Sequence, residues 1–236
     1  MSTKIQTADP MTSVMERLTK AETSGASSFE CLGRRFIVRS NVFPPTHFQS
    51  TGIFTEGLDY VPGSSFLEIG CGVGITAITA ALSGCCPIVA SDISEDAVNN
   101  ARENVSLHGV ADTVSVRLGD LFDVLEKDER FDVIFWNSNF VFVPDDYVYT
   151  RDIYRAFCDA GYLAHERFLR EAPRYLSENG KILLGFSGQG EEQALHKLLA
   201  RNGYTAESVL SKYGEGPNVH RYEILQLHPG KWNHTA

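Results

Sequence analysis

The segment Glu68-Ile-Gly-Cys-Gly-Val-Gly74 constrains this chain more than any other. It lies between an apolar run at 65–69 and an Ala/Ile/Thr-rich run at 75–82, which read as a buried strand and a helix. Alternate glycines let the backbone turn sharply and approach a ligand with no Cβ in the way. A helix starting right after such a turn points free N–H groups at whatever sits there. Strand, glycine turn and helix together are the opening half of a βαβ crossover, the unit from which parallel sheets are built.

The rest of the chain continues that rhythm. Further strands are read at 87–90, 114–118, 131–136, 180–184, 204–210 and 222–227. Helices are read from Ser94, as N-cap with Glu95 and Asp96 in the first turn, then over 165–176 and over 191–200. The helix after Ser94 is expected to bury Ala97, Val98, Ala101, Val105 and Leu107. The expected fold is α/β: a Rossmann-like, seven-stranded, mostly parallel sheet with helices on both faces. The turn-rich stretch around Gly214 and Gly216 makes the last strand antiparallel. A short N-terminal cap precedes the sheet, with a helix near 11–22, a short strand at 36–39 and a helix from Thr51 toward Asp59. The expected division is an arm and cap over 1–60 and a main domain over 61–230, with 140–162 inserted as an aromatic-rich lid; a core-filling insertion is the alternative.

Three features downstream of the glycine loop fall where a crevice at the carboxyl ends of the strands would bind a ligand. Asp92 ends the second strand, 22 residues after Gly70, where a carboxylate accepts hydrogen bonds from both hydroxyls of a ribose. Asp120 and Leu121 follow the third strand, suited to an adenine amino group and ring. Asn137 follows the fourth, where the reacting end of the ligand would point. A nicotinamide site requires Gly-x-Gly-x-x-Gly or Ala, and Ile75 occupies that third position here.

These motifs, in this order, resemble class I S-adenosylmethionine-dependent methyltransferases over about 65–227. The resemblance implies that Gly70, Cys71, Gly72 and Gly74 line the methionine part, with Glu68 placing its ammonium. Asp92 and Ile93 would hold the ribose, Asp120 and Leu121 the adenine, and Asn137 would border the methyl. Val42-Phe-Pro-Pro-Thr46, Asp96-Ala-Val-Asn-Asn-Ala-Arg-Glu-Asn104 and Phe131-Asp-Val-Ile-Phe-Trp-Asn137 are similar to the small methyltransferase group that includes release-factor glutamine enzymes. In that group an Asn-Pro-Pro-aromatic tetrad aims the target nitrogen. This chain reads Asn137-Ser138-Asn139-Phe140, keeping the Asn and the aromatic but neither proline.

The expected reaction is methyl transfer to a small-molecule nitrogen in specialised metabolism. A peptide or protein glutamine, or a non-catalytic cofactor-binding module, are the alternatives. Asn137 orients the acceptor and Phe140 packs on it; His47, Ser138, Asn139, Tyr147 and Tyr149 are candidate acceptor contacts, His47 as a base. Glu191 and Glu192 suit a helix N-terminus, and Gln49, Ser50 and Thr51 either cap a helix or reach the cofactor. A formal net charge of -9 disfavours a nucleic-acid partner. Five cysteines without a CxxC pair read as reduced thiols of a cytoplasmic protein, with no structural metal. No apolar run of about 18 residues suggests a membrane span, and the polar N-terminus does not read as a secretory signal.

Overall fold

The computed structural model describes residues 26–216 and 219–230. The helix expected near 11–22 lies outside them. The central sheet has seven strands: β3 (Phe66–Ile69), β4 (Ile88–Asp92), β5 (Val114–Leu118), β6 (Phe131–Asn137), β9 (Leu176–Ser187), β10 (Tyr204–Tyr213) and β11 (Arg221–Pro229). Their spatial order is β10-β11-β9-β6-β3-β4-β5. The five strands from β9 to β5 run parallel, and β11 is antiparallel to both neighbours. This is the expected seven-stranded sheet with its antiparallel last strand.

Side-chain alternation divides the core between the two faces. Phe66, Ile88, Ala90, Val133 and Phe135 pack against α1 (Ser50–Gly57), α2 (Ile75–Leu82) and α3 (Glu95–Leu107). Leu67, Ile69, Val89, Ile134 and Trp136 pack against α4 (Leu163–Glu171) and α5 (Glu192–Arg201). The reading of one helix through 165–176 does not hold. Pro173 cannot continue the α-helix, so the chain turns through a 3-10 segment, Ala172–Tyr175, and enters β9 at Leu176.

The strand expected at 36–39 is present as part of a small sheet whose partner strand was not read, and a second small sheet was not read at all. β1 (Ser27–Cys31) and β2 (Arg34–Val38) form a hairpin turned at Leu32 and Gly33, both with positive φ. β7 (Val141–Val143) and β8 (Cys158–Ala160) form a parallel pair inside the aromatic stretch. Phe157, Ile153 and Val143 fill a third core with Phe48, and Phe43, Tyr149 and Tyr154 pack against it. The aromatics thus fill a core of their own and also wall the cavity described below.

The expected buried stripe of α3 is correct at Ala97, Val98, Ala101 and Val105, but Leu107 is exposed and Asn100 and Asn104 are buried instead. The reason is the hairpin. Asn104 Oδ1 accepts from Ile37 N at 2.9 Å, and its Nδ2 donates to Ile37 O and Val73 O at 2.8 and 2.9 Å. Asn100 Oδ1 accepts from Arg39 N at 2.8 Å while its Nδ2 donates to Ile37 O at 2.9 Å. Two helix amides thereby satisfy the free edge of β2. Asn104→Ala would leave the part-buried Ile37 N and the buried Val73 O without this partner. The expected loss of unfolding free energy is about 2–5 kcal/mol, read as a lowered urea midpoint; an unchanged midpoint would refute this role.

Candidate active site

The carboxyl ends of β3, β4 and β6 open into a cavity of about 390 Å³. Its floor is the glycine loop. Gly70 has φ +66, and a Cβ there would lie 3.4 Å from Trp136 Nε1. Gly74 has φ +85 at the N-cap of α2, and a Cβ there would meet Ala101 Cβ at 3.3 Å. The first glycine therefore admits the indole of β6, and the last sets how closely α2 approaches α3.

Asp92 holds this loop open. Its Oδ2 accepts from Gly72 N and its Oδ1 from Ser94 N, both at 2.9 Å, while Cys71 N donates to Ser91 O at 2.9 Å. Burial raises the carboxyl of Asp92 above the ordinary aspartate range, against the three backbone amides that favour its charged form. Glu68 lies beneath the loop, buried, with Oε2 accepting from Ala77 N at 2.8 Å. Burial pushes its carboxyl up to about 8, despite hydrogen bonds from Thr76 and Ala77 that favour the charge. Burial also pushes the Cys71 thiol well up, which keeps it protonated and unreactive near neutral pH.

The raised Glu68 carboxyl gives the folded chain a pH dependence of definite sign. Between the ordinary glutamate value and about 8, the folded state holds a proton that the unfolded chain releases. Stability therefore falls as pH rises across that window. Urea midpoints are expected to drop between pH 5.5 and 8.5 in the wild type, and Glu68→Gln should flatten that trend. Parallel slopes in both chains would contradict the assignment.

Asp120 lies at the cavity edge after β5, bonded through Oδ2 to Arg167 Nη1 at 2.8 Å. Arg167, on α4, also pairs with Asp123 and with Glu171. Leu121 is buried with φ +48 and lines the cavity, as does exposed Ile93.

Asn137 ends β6, its Nδ2 3.5 Å from Thr51 Oγ1 on α1. The loop after it is fixed by hydrogen bonds where the prolines of the resembling tetrad would stand. Ser138 donates to Gly185 O through both its N, at 3.2 Å, and its Oγ, at 2.8 Å. A proline at 138 has no N–H to make the first of these. Asn139 Nδ2 donates to the carbonyls of Arg155 and Cys158, each at 3.1 Å. Phe140 O accepts from Tyr162 Oη at 2.6 Å.

Glu68, Gly70, Cys71, Gly72, Asp92, Ile93, Asp120, Leu121, Asn137, Ser138, Asn139, Phe140 and Tyr149 all line this one cavity. Gly74 lies behind it in helix packing, Tyr147 sits edge-on to Tyr149 at 5.2 Å, and His47 is exposed outside the lining. Gln49 stays out of the cavity and occupies the N-cap position of α1, where its carbonyl accepts from Ile53 N at 3.0 Å, but its side chain makes no capping bond and instead donates to Glu215 O at 2.7 Å and accepts from Glu215 N at 2.8 Å. Ser50 and Thr51 do line the cavity.

The sequence reading missed Asp159, Arg155 and Arg167, which also line it. Asp159 is buried and caps α4, accepting from Ala164 N at 3.1 Å and from His165 N and Nδ1 at 2.9 and 2.7 Å. Only its place after an aromatic run and just before a helix could have flagged it. Among the described residues no cluster of side chains could hold a metal, and no helix is long and apolar enough to cross a membrane.

The family model described as a methyltransferase domain matches residues 61–212. A Methanocaldococcus jannaschii protein named as a protein N5-glutamine methyltransferase is 31% identical over 173 residues, covering 72% of this chain and 84% of that protein. A ribosomal protein L11 methyltransferase of Phocaeicola vulgatus is 37% identical over 94 residues, covering 39% of this chain and 33% of that protein. The solved tRNA m1G37 methyltransferase of M. jannaschii superposes with a TM-score of 0.58 at 17% identity, over 88% of this chain and 57% of that one. The expectation against a nucleic-acid partner rests on net charge and gains no support here, since a tRNA enzyme shares this fold. Sheet order, glycine loop and domain match agree: this chain belongs to the Rossmann-like methyltransferase family.

Proposed function

We propose that the chain binds S-adenosylmethionine in this cavity and transfers its methyl group to a nitrogen of a small-molecule acceptor. The observation that carries the reading is a single cavity bordered by both Asp92, clamped to Gly72 N, and Asn137 at the end of β6. The residues suit such a cofactor. The loop leaves open space where a Cβ of residue 72 would stand, with a carboxylate beside it. Asp92 and Ile93 would hold its ribose, Asp120 and Leu121 its adenine, and Glu68 would lie toward its ammonium. When bound, the sulfonium supplies an already activated methyl.

What remains for the protein is positioning. The Asn137 carboxamide accepts a hydrogen bond from the acceptor nitrogen and turns its lone pair toward the methyl. The Phe140 ring packs on the acceptor, steadied by its carbonyl bond to Tyr162. We place the acceptor under a roof made by cap and insertion together: Phe43 and Phe48 meet Phe157 at ring centroids of 4.8 and 4.5 Å. A roof of that kind suits a small molecule or one extended side chain better than a flat surface. The five cysteines are unpaired, in keeping with a cytoplasmic place.

The glutamine reading is kept because the M. jannaschii relative is matched over 84% of its length. Tritiated cofactor offered with a deproteinised metabolite extract, and separately with glutamine-containing peptides, decides between them. Label in the small-molecule fraction supports the proposal, and label confined to peptides supports glutamine. Cofactor binding without transfer to either overturns both in favour of a binding module.

A further inference from the structure

We infer that the acceptor carries a carboxylate, which pairs with Arg155 at the acceptor end of the cavity. This rests on the cofactor occupying the glycine-loop end.

Two arginines line the cavity, Arg155 and Arg167. Arg167 is neutralised by Asp120, Asp123 and Glu171. Arg155 has no carboxylate partner among the described residues; its guanidinium carbon stands 4.4 Å above the ring centroid of Tyr149. That ring is itself fixed, because Tyr149 Oη donates to Cys158 O at 3.1 Å and accepts from Ala160 N at 3.0 Å. A guanidinium held over an aromatic face gains from the ring while N–H groups stay available to a planar anion.

The backbone ties this cation to the reacting end. Asn139, two residues after Asn137, donates to the carbonyl of Arg155. The backbone of Arg155 is thus held beside the loop that would aim the acceptor nitrogen, and the residue lines the same cavity as Asn137. An acceptor with a nitrogen at Asn137 and an anion at its other end would span the two. Asp152 and buried Asp159 also line the cavity, so its charge suits a monoanionic carboxylate better than a dianion.

The test uses pairs of probes differing only in that group: N-acetyl-L-glutamine with its α-carboxamide, β-alanine with β-alaninamide, and 4-aminobenzoate with 4-aminobenzamide. Each is titrated into the full chain saturated with S-adenosylhomocysteine and assayed for tritium transfer from S-adenosylmethionine. In at least one pair the carboxylate should bind at least tenfold more tightly. Arg155→Gln should bring that ratio within twofold, and Arg155→Lys should keep an intermediate ratio. Equal binding within every pair, no binding by any probe, or a ratio that survives Arg155→Gln would overturn the inference. So would a tenfold weaker affinity of Arg155→Gln for S-adenosylhomocysteine, which would put Arg155 on the cofactor's own carboxylate. If the wild type fails to bind S-adenosylhomocysteine at all, the failure is of the cofactor reading instead.

Discussion

Asp92→Ala is expected to weaken S-adenosylmethionine binding by about two orders of magnitude or more while the chain stays folded. In the structure the carboxylate already serves Gly72 N and Ser94 N at 2.9 Å each, and Asp92 lines the cavity where a ribose would lie. Truncation removes the hydroxyl acceptors and also frees the Gly72 amide, so the loop loses its set shape. Hydrogen bonds to a charged group contribute about 1.5–3 kcal/mol each, and two lost contacts correspond to roughly 10²–10⁴ in affinity. Asp92→Asn keeps one acceptor and should lose less, about tenfold. Calorimetric titration with a parallel thermal melt separates binding from folding. A folded Asp92→Ala chain that binds within threefold of wild type would remove Asp92 from the site.

Asn137→Ala should show the opposite split: turnover down by about 10²–10³-fold and cofactor affinity within about threefold. On the proposed function this side chain orients a nitrogen for in-line transfer, and small losses of orientation carry large rate penalties. Among the described residues its side chain bonds only to Thr51, at a long 3.5 Å, so truncation leaves no buried group stranded. The loop would keep its shape, because Ser138, Asn139 and Phe140 are each held by their own hydrogen bonds. Single-turnover rates at saturating cofactor, set against the calorimetric Kd, give both numbers. Equal losses in binding and turnover would mean that Asn137 belongs to the cofactor pocket alone.

The main sheet was legible because its signals are local. Residues 75–82 read as a helix, Ser94 as a cap and the strands as short apolar runs, and each stands where the chain was read. The glycine loop with Asp92 pointed to one cleft for the same reason. The illegible parts depend on partners distant in sequence. The β1–β2 hairpin turns on Leu32-Gly33 instead of an Asn-Gly pair, so its signal was weak. Asn100 and Asn104 lie outside the expected apolar stripe yet are buried, and nothing local signals this because their partners in β2 lie more than 60 residues away. Arg167 reaches Asp120 across 47 positions, and no local pattern announces such a pair. The parallel β7–β8 pair has three residues per strand, too few to produce a recognisable alternation.

A crystal structure of the chain with S-adenosylhomocysteine tests the cofactor site most directly. The expected result is an adenosine moiety over the glycine loop, its ribose hydroxyls within hydrogen-bonding distance of the Asp92 carboxylate and its sulfur facing Asn137. A ligand bound elsewhere, or one in the cavity with its ribose away from Asp92, would contradict the methyl-transfer site described above.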